Sequence, residues 1–138
     1  MNMGRDTIKE YVEQTEKLSF MLMELIALSL GLEAKRFEEF FVKDQTSIIR
    51  LNYYPTCPSP HLALGVGPHK DVGALTVLAQ DGVAGLEVKR KADGEWIRIK
   101  LIPNSFIINL GDIVQVLCFF TTPNNIISKT RNQFSHFS

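Results

Sequence analysis

At Ser47 the hydrophobic rhythm of this chain changes, and that change limits what it can fold into. Before it, Ile8, Tyr11, Val12, Thr15, Leu18, Leu22, Leu25 and Ile26 recur every three or four residues, the spacing of one helical face. Gly31 is placed to stop that helix. A second short helix is expected over 33–41, with Phe37, Phe40 and Phe41 on its buried side. After Ser47 come short runs of β-forming residues between turn formers. Strands are expected at 48–54, 75–80, 85–89, 96–100, 105–110 and 113–117, the first closed by Pro55, Pro58 and Pro60. Ala92-Asp93-Gly94 offers turn chemistry, which makes 86–88 and 96–99 a hairpin. Many short strands at regular spacing suggest a barrel or sandwich. The fold class is therefore mainly β with N-terminal helices (α+β). Residues 1–46 form a helical segment expected to pack on the sheet, 47–116 the β domain, and 117–138 a tail without clear period.

Composition narrows the class further. A chain of 138 residues fits one domain, and 45% hydrophobic residues mark it as globular. Lys+Arg and Asp+Glu balance at 15 each, so no charge excess points to nucleic acid or to an anionic membrane. Cys57 and Cys118 lie far apart with no pairing pattern, as expected of free thiols in a reducing compartment. The apolar run at 20–32 contains Glu24 and falls short of the roughly 20 residues a membrane span needs. It also lacks the basic lead of a secretory signal. A soluble, cytoplasmic protein is the expectation.

The chemistry-bearing residues cluster just before the second expected strand. His69 and Asp71 sit at i and i+2 of an extended stretch, so both side chains leave one face. An imidazole nitrogen and a carboxylate oxygen could then converge as two corners of a 2-His-1-carboxylate Fe(II) site. The bland alternative is a polar edge pair facing water. Gly65, Gly67 and Gly73 crowd the same segment and allow close backbone approach to something bound there. Asn52 and Tyr54 share a strand face and offer an amide and a phenol to one pocket; a buried tyrosine with a satisfied hydroxyl is the equal alternative. Asp112, after Gly111, looks like a turn residue with a structural role. His61 follows Pro60 in an exposed loop, and Trp96 packs the hairpin.

Taken together and in order, these motifs resemble a known family. Asn52-Tyr53-Tyr54-Pro55, Cys57-Pro58, Leu62-Ala63-Leu64-Gly65-Val66 and His69-Lys70-Asp71 are similar to the plant 2-oxoglutarate and Fe(II)-dependent dioxygenases. Ala74-Leu75-Thr76-Val77-Leu78, Gly85-Leu86-Glu87-Val88, Gly94 with Trp96, and Asn109-Leu110-Gly111-Asp112 continue the likeness. It covers residues 7–116 and looks closest to the branch that oxidises small molecules such as flavonoids, hormones and alkaloids. The resemblance implies a double-stranded β-helix (jelly-roll, cupin-like) with helices on one side. It implies that His69 and Asp71 are the first two iron ligands, and that Asn52 and Tyr54 help hold 2-oxoglutarate. Fe(II), 2-oxoglutarate as cosubstrate, O2 and supporting ascorbate are the implied cofactors. The implied reaction is hydroxylation or desaturation of a small plant metabolite, with no nucleic-acid or membrane partner.

The likeness stops after Val116. The family's distal histidine ligand should fall near Asn124 or Asn125, followed by an arginine and a serine that clamp 2-oxoglutarate. His136 is the only downstream histidine, and Arg131 precedes rather than follows it. The expectation is a site with the distal His and the Arg/Ser clamp missing, in a β-helix incomplete at both ends. A catalytically inactive truncated isoform, a gene-model fragment and a non-enzymatic interaction module are the alternatives to a working oxygenase.

Overall fold

The computed structural model describes residues 3–41, 46–121 and 136–137. They fall into two compact units, Met1–Leu51 and Asn52–Ser138.

The first unit is built on α1, Met3–Ser29, 27 residues and therefore about 40 Å long. Its most buried positions, Met23, Ala27 and Leu30, follow a spacing of four and three. Val12, Thr15, Leu22 and Ile26 lie half-buried along the same seam. Ile8, Tyr11 and Leu25, expected on that face, are exposed; the true seam is rotated slightly from the expected one. The helix ends as its glycine predicts. Gly31 takes φ 74°, its amide donates to Leu28 O at 2.9 Å, and Leu32 N donates to Ala27 O at 3.0 Å. These two bonds are the Schellman pair that satisfies otherwise orphaned carbonyls.

The second expected helix is shorter than its sequence suggests. Residues 34–37 form turns with three-residue bonds, such as Arg36 N to Glu33 O, and only α2, Glu38–Phe41, is helical. Phe37 is 1% exposed and anchors this corner. Phe40, expected on the buried side, is 47% exposed, with the Arg36 guanidinium 6.0 Å from its ring centre.

The second unit holds two small sheets. In one, β1 (Leu75–Ala79) pairs antiparallel with β4 (Phe106–Leu110), in the register Leu75↔Leu110 and Val77↔Ile108. In the other, β2 (Glu87–Lys89) pairs with β3 (Trp96–Arg98), and β5 (His136–Phe137) adds to the far edge of β2. The expected hairpin is present. Gly94 supplies φ 77°, Arg90 N bonds Glu95 O, and Lys89 lies 5.5 Å over the Trp96 ring.

Two strand expectations fail. Residues 48–54 pair with no strand among the described residues and are exposed. β-propensity needs a partner ladder to be realised. Residues 113–117 lie in a helix, α3 (Asp112–Thr121). Short apolar runs carry no decisive period, and local bonding settles this one. Asp112 N donates to Asp71 O and Ile113 N to Gly73 O, so carbonyls of the 71–73 segment take up the first free helical amides. Val114, 1% exposed, is the buried anchor of that turn. No described helix is long and apolar enough to cross a membrane.

Candidate metal centre

His69 and Asp71 are held by the seam between the start of β1 and the end of β4. The β1–β4 ladder continues one step past Leu75↔Leu110, with Gly111 N donating to Ala74 O at 3.0 Å. Two glycines allow that closeness. Gly73 has φ 124°, a conformation L side chains rarely adopt. A Cβ on Gly111 would overlap the Gly73 carbonyl oxygen, and would stand 2.8 Å from its carbonyl carbon and 3.1 Å from Asp71 O. Of the three glycines expected to admit a bound molecule, Gly67 and Gly73 have nothing within 4 Å of where a Cβ would stand, and at Gly65 the Tyr54 ring lies 3.2–3.3 Å from that point.

The extended backbone sorts the three side chains as i, i+2 alternation requires. Lys70 points toward Asp112, with Nζ 3.9 Å from Oδ1. His69 and Asp71 point toward each other, Nε2 to Oδ1 being 3.5 Å. Each ligand's other heteroatom is already occupied. His69 Nδ1 lies 2.9 Å from Gly67 O. A carbonyl can only accept, so Nδ1 carries a proton, and in the neutral ring the lone pair is then on Nε2, the atom that faces Asp71. Asp71 Oδ2 accepts from Asn109 Nδ2 at 3.0 Å, leaving Oδ1 free.

Two cis ligands at about 2.1 Å from an octahedral ion stand about 3 Å apart. A separation of 3.5 Å between free Nε2 and free Oδ1 is close to that, and the donor types suit Fe(II). Among the described residues, no group of three or more His, Cys, Asp or Glu converges. Asn124, Asn125 and Arg131, which bear on the distal ligand and clamp, lie outside the described residues. His136 is described through its backbone, in β5 opposite Lys89 of β2.

The other expected site residues are not bonded to this pair among the described residues. Asn52 and Tyr54 are exposed, and the strand that was to align them is not formed. Tyr54 packs its ring on Gly65, two residues before the carbonyl that orients His69. Cys57 is a free, exposed thiol. Asp112 has a structural place at the first turn of α3. Sequence reasoning assigned no role to Asn109. The available signal was a lone amide in the apolar run Phe106-Ile107-Ile108-Asn109-Leu110, where alternation points it to the buried side.

The chain belongs to the 2OG-Fe(II) oxygenase superfamily, whose family model matches residues 45–126. Fe(II) and 2-oxoglutarate are the cofactor pair of that family. Among curated relatives, it is 49% identical over 115 residues to gibberellin 20 oxidase 2 of Oryza sativa subsp. japonica, covering 83% of this chain and 28% of that one. It is 42% identical over 117 residues to thebaine 6-O-demethylase of Papaver somniferum, covering 82% and 31% respectively. The crystal structure of JOX2 in complex with 2OG, Fe and JA superposes with a TM-score of 0.74 at 34% identity, over 96% of this chain and 36% of JOX2. That likeness supports the double-stranded β-helix fold, here a mixture of helix and strand. The chain spans under a third of the length of the curated relatives it matches.

Proposed function

We propose that this chain carries the His-x-Asp part of an Fe(II) centre in a 2-oxoglutarate-dependent dioxygenase that hydroxylates or desaturates a small plant metabolite. His69 binds through Nε2 and Asp71 through Oδ1. The observation that carries this is the 3.5 Å approach of those two free atoms, each fixed by a hydrogen bond at its partner atom. Bound there with 2-oxoglutarate, Fe(II) supplies O2-dependent oxidation of a substrate carbon. The protein's part is to fix two ligand directions. Gly67 O orients the imidazole ring through Nδ1. Asn52 and Tyr54 are assigned to holding 2-oxoglutarate on their place in the family motif, and the Tyr54 ring packs at Gly65. Residues 47–116 are the oxygenase part, within the span 45–126 that the family model matches. Residues 1–46 form a helical segment and 117–138 a tail, of which 117–126 still lies within the family match.

One observation favours a non-catalytic role, as an inactive isoform or an interaction module. Among the described residues, no third protein ligand joins His69 and Asp71. Metal binding and turnover separate the two roles. The purified chain is titrated anaerobically with Fe(II), then with 2-oxoglutarate, by calorimetry, with circular dichroism to verify folding. Saturable 1:1 Fe(II) binding, tightened by 2-oxoglutarate and abolished in His69→Ala, is expected. Succinate release from 2-oxoglutarate under air then marks an oxygenase, and its absence marks the non-catalytic role. Parental Fe(II) affinity in His69→Ala would show the metal centre to be wrongly placed.

A further inference from the structure

Asn109 is 5% exposed, in the middle of a strand otherwise made of apolar side chains. Its amide makes one side-chain bond, from Nδ2 to Asp71 Oδ2 at 3.0 Å. Its Oδ1 is buried and has no hydrogen-bond partner among the described residues. A buried acceptor left unbonded costs stability, so what this amide contributes is its Nδ2 bond to Asp71. The group that bond reaches is the carboxylate of the proposed metal pair.

We propose that Asn109 is a positioning residue that holds Asp71 as a one-oxygen ligand. By engaging Oδ2 it turns Oδ1 toward His69 Nε2, 3.5 Å away. It also keeps Oδ2 from closing onto the ion and filling a position that substrate-side ligands need. The neighbouring Lys70 ammonium does not compete for Oδ2, because it faces Asp112 instead. The inference rests on His69 and Asp71 being the metal pair.

Co(II) is the probe, because its visible bands change intensity with coordination number. The full chain, Asn109→Leu, Asn109→Ala and His69→Ala are compared by calorimetric Co(II) titration, visible spectrum and metal-free thermal midpoint. Both Asn109 variants should bind Co(II) about 10–100-fold more weakly, with altered band intensities. The change in bands and affinity is the readout a merely structural residue would not move, and the metal-free midpoint verifies that each variant is folded. Asn109→Ala cannot overpack, so it decides the matter if the leucine variant does not fold. Parental affinity and bands in a folded Asn109 variant would overturn the positioning role and leave the metal pair standing. No Co(II) binding by the folded parent, or equal binding by His69→Ala, would instead overturn the metal pair, and this inference with it.

Discussion

Gly111 shows how little freedom single positions around His69 and Asp71 have. Its α-carbon lies against the backbone of Gly73 and Asp71, where a methyl group has no room. Neither neighbour can yield cheaply, because Gly73 O accepts from Ile113 N and Asp71 O from Asp112 N. Gly111→Ala should therefore destabilise the chain by about 1–3 kcal/mol, the usual cost of overpacking. It should also lower metal affinity, because the displaced backbone carries Asp71. Urea unfolding with and without Co(II) checks both effects. A variant with unchanged midpoint and unchanged affinity would mean that the two segments are not in contact.

The β2–β3 hairpin is fixed by its turn. Arg90 donates to both carboxylate oxygens of Asp93 at 2.6–3.0 Å and also reaches Glu95, while Glu95 N donates to Asp93 Oδ1 at 3.1 Å. The Arg90 guanidinium first, and the Glu95 amide second, hold the Asp93 carboxyl down to about 2 from its ordinary 3.8. Because the folded value is depressed, whatever the ion contributes is fully present above pH 3.8 and is lost as pH falls from there through about 2. Solvent screening keeps that contribution small. Replacing Arg90 by glutamine should move the Asp93 titration toward 3.8, measured by carboxyl carbon NMR; a midpoint still near 2 would assign the effect to the amide alone. This hairpin is legible in the sequence because its signals are local, a turn triplet between two β-rich runs. The helix at Asp112–Thr121 is not, because its starting bonds come from carbonyls of residues 71 and 73, far away in sequence. The same division holds at the site. His69 and Asp71 are legible as a spaced pair, whereas the support from Asn109 depends on the β1–β4 register. The 48–54 segment has the residues of a strand and no described partner strand. Propensity alone does not make a ladder.

For the molecule as a whole, metal binding and folding should be linked. If His69 and Asp71 are the metal pair proposed above, the β1–β4 seam assembles them only in the folded chain, and a divalent ion would stabilise the native state by mass action. Co(II) at one hundred times its dissociation constant should raise the unfolding free energy by about 2.7 kcal/mol. The gain should vanish in His69→Ala. Equal stabilisation of parent and variant would place the ion elsewhere in the chain.

The hydrogen bond from Asn109 to Asp71 spans 38 residues of sequence. Its formation needs a long loop to close, an entropic cost met before any contact rewards it. The β2–β3 hairpin lies inside that loop and closes on its own, within microseconds for such elements. A refolding chain can therefore own a finished hairpin before the proposed metal pair is assembled. Under that proposal, affinity for the metal would be a clock for the arrival of β4 beside β1.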